Sequence, residues 1–171
     1  MWFGTNAGVV RYNGRSMNVF DTRKGMNNNS VLDIGQDTSG IIYFATSRGI
    51  SEYNKDTVFK NIFTNKSFSG VLIDGKNNRW FYGDNGVCLL DNAGRQSDFS
   101  STYPELSGKI VSMESDSKGN GKFFATLDGV YYYSSTNKGL KKLLNEECYS
   151  IFLDSNDSLW LSTQEGLFIC P

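Results

Sequence analysis

Short apolar runs, broken by Gly, Asp and Asn, recur along the whole chain. Nowhere do apolar residues keep a 3.6-residue spacing over the length a helix needs, which excludes helical repeats. Five segments align without gaps: WFGTNAG (2–8), YFATSRG (43–49), WFYGDNG (80–86), FFATLDG (123–129) and WLSTQEG (160–166). Each opens on an aromatic residue and closes on glycine, and the glycines lie 41, 37, 43 and 37 residues apart. Four carry Thr at the fourth place, with Gly83 as the exception. The aromatic start predicts a strand packed on a neighbouring sheet. The polar pair and glycine predict a tight hairpin in which Gly supplies a positive φ. Val9, Ile50, Val87, Val130 and Leu167 then open the next strand.

Upstream of the last four aromatics lie further apolar strands, Val31 to Ile34, Val71 to Ile73, Ile110 to Met113 and Tyr149 to Leu153. Each soon reaches an aspartate, Asp37, Asp74, Asp116 or Asp154, six residues before the aromatic or seven in the Asp116 repeat. Aspartate suits such a turn because its carboxylate accepts from backbone two residues on. A looser fourth strand follows, as at Val19–Phe20 and at Val58 to Phe63. The unit is thus strand A, Asp turn, strand B, Gly hairpin, strand C, strand D. Four short antiparallel strands per forty residues is the period of a propeller blade. The predicted fold is all-β, a β-propeller of four-stranded antiparallel blades and about eighteen strands. It is a partial propeller of about four to five blades: a partial blade at 1–30, blades at 31–69, 70–109 and 110–147, and a partial blade at 148–171. The first lacks strand A and the last lacks strand D. The chain is therefore expected to be a stretch of a longer repeat array that self-associates or meets the remaining blades. Trp2, Tyr43, Trp80, Phe123 and Trp160 are expected at equivalent, largely buried places.

Composition narrows the function. The chain has 171 residues and a net charge of −1, with no basic run, so no nucleic-acid footprint is present. No apolar run approaches the ~20 residues of a transmembrane helix, and no membrane contact by this segment is expected. There is no histidine, which removes His-based acid–base chemistry, Ser-His and Cys-His nucleophiles and His metal ligands. Cys88, Cys148 and Cys170 stand far apart without a CxxC pair, so they are expected as free thiols. The aspartates lack the alternating ligands and distal Glu of a calcium loop. No catalytic residue, metal or cofactor is expected.

Function is therefore expected on loops, with the strands as scaffold. Hairpins from B to C and loops from D to A share one face of a propeller. Their residues differ strongly from repeat to repeat, which suits one-sided recognition of a polar ligand. The candidate ligand-binding residues are Asn28, Arg48, Asp84, Asn85, Tyr103, Asp128 and Gln164. Lys138, Lys141 and Lys142 are expected as a solvated basic face.

WD-type repeats require a histidine, and kelch repeats carry paired glycines, which are missing here. Gly25-Met26-Asn27-Asn28-Asn29-Ser30-Val31, followed by Asp37 to Ile50, resembles the two-component regulator propeller repeat, and the resemblance extends through all five segments. The Asp74 repeat lacks the Thr and drifts toward NHL-type repeats. The resemblance implies a sensor propeller from the periplasmic or extracytoplasmic part of a hybrid two-component histidine kinase. It also implies an oligosaccharide or other small ligand as partner. The alternatives are a protein–protein interaction propeller without a small ligand and, less favoured, a propeller lyase or hydrolase.

Overall fold

The computed structural model describes residues 1–55, 59–116 and 118–170. They form eighteen strands, arranged as five antiparallel sheets of three or four strands, with three single 3-10 turns and no α-helix among the described residues. The chain divides into two compact units, Met1–Ile73 and Asp74–Pro171. In the first unit, β1 (Trp2–Thr5), β2 (Gly8–Tyr12) and β3 (Met17–Phe20) make one meander. β4 (Val31–Gln36), β5 (Ile42–Thr46), β6 (Gly49–Tyr53) and β7 (Lys60–Ile62) make the next, and β8 (Gly70–Ile73) leads to the turn at Asp74. Val58, expected in the looser fourth strand, lies outside the described residues. In the second unit, β9 (Arg79–Gly83), β10 (Gly86–Leu90) and β11 (Gln96–Asp98) run antiparallel. They are followed by a four-strand meander of β12 (Ile110–Ser115), β13 (Gly121–Thr126), β14 (Val130–Ser134) and β15 (Gly139–Leu144). The last sheet comprises β16 (Cys148–Leu153), β17 (Leu159–Thr163) and β18 (Gly166–Cys170).

The repeat reappears as one hydrogen-bond register. Trp2 pairs with Arg11, Tyr43 with Glu52, Trp80 with Leu89, Phe123 with Tyr132 and Trp160 with Ile169. The threonine at the fourth place closes the hairpin. Its hydroxyl donates to the carbonyl of the tip glycine, at 2.8 Å for Thr5, 2.7 Å for Thr46, 2.8 Å for Thr126 and 3.3 Å for Thr163. It also accepts from the amide two residues on, as from Arg48 at 3.2 Å and Asp128 at 3.1 Å. The tip must be glycine for a steric reason as well as for its φ. Gly8 (φ 111°) and Gly129 (φ 149°) lie against the carbonyls of Phe20 and Leu144, where a Cβ would collide.

The aspartate turns are tied to the aromatics that follow them. In Asp37, Oδ1 accepts from the amides of Ser39 and Ile41, both at 3.0 Å, while Oδ2 accepts from the Tyr43 hydroxyl at 3.1 Å. In Asp74, Oδ1 accepts from the amides of Lys76 and Asn78 and Oδ2 from Trp80 Nε1 at 3.0 Å. Asp154 repeats the arrangement with Asn156, Ser158 and Trp160 Nε1 at 3.0 Å. In the Asp116 turn, Oδ1 accepts from Asn120, and the aromatic that follows is Phe123, which has no donor. Burial works against the charge of Asp37 and Asp74, yet these hydrogen bonds outweigh it and hold both carboxyls below the usual range. Asp154 is likewise lowered, chiefly by Trp160.

The five aromatics differ in depth. Tyr43 and Trp80 are buried, whereas Trp2, Phe123 and Trp160 are only half-buried. The deepest position is the next one along strand B, on the opposite face: Phe44, Phe81 and Phe124 are fully buried and Leu161 nearly so, while Phe3 is 43% exposed. Period-two alternation accounts for this, since the aromatic and its neighbour face different sides of one sheet. The first unit's core joins Val9, Met26, Val31, Ile42, Phe44 and Phe59, with Trp2, Phe20, Ile34 and Tyr53 against it. In the second unit, Ala125, Val130, Cys148, Ile151, Leu159 and Leu161 pack with Phe123, Leu144 and Leu153. Each fully buried large side chain contributes roughly 1.5–3 kcal/mol.

One buried ion pair supplements this core. Lys122 Nζ lies 3.2 Å from Asp74 Oδ2, and the two side chains are 2% and 1% exposed. The ammonium also donates to the carbonyls of Gly119 and Gly121 and sits 5.5 Å from the centre of the Trp80 ring. Removing one member of such a pair strands the other charge. Lys122→Ala is therefore expected to cost about 3–5 kcal/mol, read as a fall in the urea midpoint. The lowered aspartates set the acid response. Their stabilisation is complete above the unfolded value of about 3.9 and is lost as pH falls through their lower folded values. Melting temperature should thus decline below about pH 4, and Asp74→Asn should flatten that decline relative to wild type.

Candidate functional site

The B–C hairpin tips and D–A loops hold the chemistry that does not repeat. In the first unit, the loop before β4 is knitted to two tips. The Gly8 amide donates to Asn29 O at 2.8 Å, and Ser47 N donates to Ser30 O at 3.3 Å. Asn27 donates from its amide side chain to Arg48 O. Asn28 Oδ1 accepts from Ser30 N at 2.8 Å and from the Ser47 hydroxyl at 3.1 Å. Asn28 is thus engaged in building the loop, and the Arg48 side chain stands exposed beside it.

In the second unit, Asp84 and Asn85 form the exposed β9–β10 tip. Lys109, at the end of the loop before β12, places Nζ 3.8 Å from Asp84 Oδ1. Lys109 also lines a cavity of about 150 Å³ with Glu105, Gly108, Thr126, Leu127 and Asp128. Asp128 Oδ2 accepts from the Tyr131 hydroxyl at 2.7 Å and from Lys142 Nζ at 3.0 Å. The Tyr131 hydroxyl first, then Lys142, holds the Asp128 carboxyl below its ordinary value. Asp128 in turn raises Lys142, while Tyr131 is raised by burial first and then by Asp128. Lys142, expected on a solvated face, is instead half-buried and committed to Asp128.

The structure therefore gathers Asp84 and Asp128 around Lys109, and it brings Asn28 beside Arg48. Gln164 is exposed at the β17–β18 tip. Tyr103 is held in an aromatic cluster, 4.8 Å from Phe99 and 5.3 Å from Tyr133 between ring centres, with its hydroxyl donating to Lys138 O at 2.8 Å. Glu105 and Lys109 were not singled out by the sequence, although both lie in the D–A loop that holds Tyr103. The cavity offers acceptors at two carboxylates and a donor at one ammonium, a set suited to hydroxyl-rich ligands. No three of the described His, Cys, Asp and Glu side chains converge to hold a metal ion.

No family model and no curated protein matches the chain. Solved structures do match it over almost its whole length. The fold is that of a β-propeller. The extracellular domain of the hybrid two-component system BT4673 from B. thetaiotaomicron is 21% identical with a TM-score of 0.79, over 98% of this chain and 25% of that one. That of BT3049 from the same organism is 22% identical with a TM-score of 0.78, over 99% of this chain and 27% of that one. Virginiamycin B lyase from Staphylococcus aureus is 14% identical with a TM-score of 0.70, over 99% and 65%. The chain spans about a quarter of the length of the two sensor structures.

Proposed function

We propose that the chain is part of a ligand-sensing propeller on the extracytoplasmic side of a two-component sensor, and that it binds rather than transforms its ligand. The observation that carries this reading is the division of labour within the repeat. Asp, aromatic, Thr and Gly hold one scaffold, while the tips and D–A loops carry unlike polar groups that converge at Asp84, Lys109, Glu105 and Asp128. The sensor domains that share the fold favour the same reading over an enzymatic one. The ligand is an oligosaccharide or other small polar molecule, contacted in the second unit by Asp84, Asn85, Lys109 and Asp128, with Gln164 on a further tip of that unit and Tyr103 bracing the 99–106 loop; in the first unit the contacting candidates are Asn28 and Arg48. The face of β1–β3 bearing the exposed Phe3, Tyr12, Met17 and Val19 takes further blades or a second copy, as does that of β16–β18 bearing Phe152, Leu167 and Ile169.

The experiment is a glycan array of neutral and acidic oligosaccharides, with each hit quantified by calorimetry. Saturable binding is expected. Lys109→Ala should weaken it by at least about ten-fold without lowering the melting temperature, since Lys109 is exposed. An affinity unchanged in Lys109→Ala, or a product formed from the bound glycan, contradicts the proposal.

A further inference from the structure

A second cavity, of about 350 Å³, lies in the first unit at the strand ends away from the hairpin tips. Trp2 at the start of β1, Arg11 near the end of β2, Gln36, Gly40, Ile42, Tyr53 and Lys55 line it. Its size falls within the ~300–1,000 Å³ of small-molecule pockets. Arg11 is its central feature. The guanidinium carbon sits 5.8 Å from the Trp2 ring centre and 5.9 Å from that of Phe20. Nη1 donates to the Tyr53 hydroxyl at 3.1 Å. Nε is buried and has no hydrogen-bond partner among the described residues.

A buried, unpaired N–H is costly and rarely retained without a partner. The scaffold does not call for this one. Glu52, Leu89, Tyr132 and Ile169 occupy the equivalent place in the other four B–C ladders, so the register is met without a cation. The bond to Tyr53 uses Nη1 and leaves the Nε–Nη2 edge, whose two parallel N–H groups match the two oxygens of a carboxylate. Among the described residues no Asp or Glu lines the cavity, and Lys55 adds a second positive charge. Trp2 and Tyr53 supply an aromatic wall, and Gln36 a further donor and acceptor.

We infer that this cavity is a binding site for a small organic carboxylate, gripped side-on by Arg11 Nε and Nη2 and with its body against Trp2 and Tyr53. The site is separate from the hairpin-tip cavity and does not depend on what that cavity binds.

The test uses benzoate as the probe and benzamide as its neutral counterpart. The Arg Nε–H resonances of the whole chain are followed by nuclear magnetic resonance. Benzoate is expected to shift one Nε–H resonance saturably, that resonance being absent in Arg11→Lys, while benzamide leaves it in place. Arg11→Lys keeps the charge but loses the fork, and should weaken benzoate at least about ten-fold. Lys55→Gln, at an exposed position, should weaken it about three-fold with the fold intact, so the site stays testable should Arg11→Lys unfold. Lys109→Ala should leave benzoate binding unchanged, which separates this site from the hairpin-tip site. No saturable shift at Arg11, equal binding of benzamide, or benzoate affinity indifferent to both variants overturns the inference.

Discussion

The turn carboxylate that accepts backbone amides on one oxygen and a ring donor on the other organises each repeat in which it is complete. One oxygen of Asp37, Asp74 or Asp154 closes the A–B turn by taking two amides. The other reaches six residues on to Tyr43, Trp80 or Trp160 and orients the ring at the start of strand B. Once that ring is placed, the two-residue period puts the next side chain on the opposite face of the sheet, and so Phe44 and Phe81 reach full burial. Bonds to an ionised acceptor are stronger than neutral ones, so a few atoms hold both turn and strand.

At the other end of strand B, threonine and glycine close the hairpin by similarly local means. With both ends of the B–C unit held by short-range bonds, closure of the hairpin does not depend on which side chains stand at its tip. That freedom lets neighbouring tips differ as much as Asp84-Asn85 and Leu127-Asp128 do on one scaffold. It also explains why unlike charges such as Lys109, Asp84 and Asp128 gather there without disturbing the sheets. The residue before the strand-B aromatic is a buried cation in two repeats, Arg79 before Trp80 and Lys122 before Phe123, and Lys122 turns inward to pair with Asp74.

Much of this was legible in the sequence because the signals are local and repeated. The Asp, aromatic and Gly spacings foretold the turns, strands and hairpins, and the β-propeller fold follows from them. The threonine was visible as a repeated residue, but its bond to the tip glycine carbonyl needed the structure. Burial of the aromatics was overestimated at Trp2, Phe123 and Trp160, since spacing marks equivalent places and not the depth of each. What spacing could not reveal are contacts between residues far apart in the chain. Lys122 meets Asp74 across 48 positions, Lys109 meets Asp84, and Arg11 meets Tyr53 across 42. The position of Tyr103 in the chain marks only a D–A loop, and its ring partners Phe99 and Tyr133 become visible only in three dimensions.

Whether the aspartate turn and the strand-B aromatic act as one unit is read by a double-mutant cycle. Asp74→Ala, Trp80→Phe and the double variant would be compared with wild type by equilibrium urea unfolding. Trp80→Phe keeps the ring but removes the Nε1 donor that Asp74 accepts. A coupling of about 1–3 kcal/mol is expected, as for a buried charge-assisted bond. Additivity of the two single changes to within about 0.5 kcal/mol would mean that turn and ring act independently.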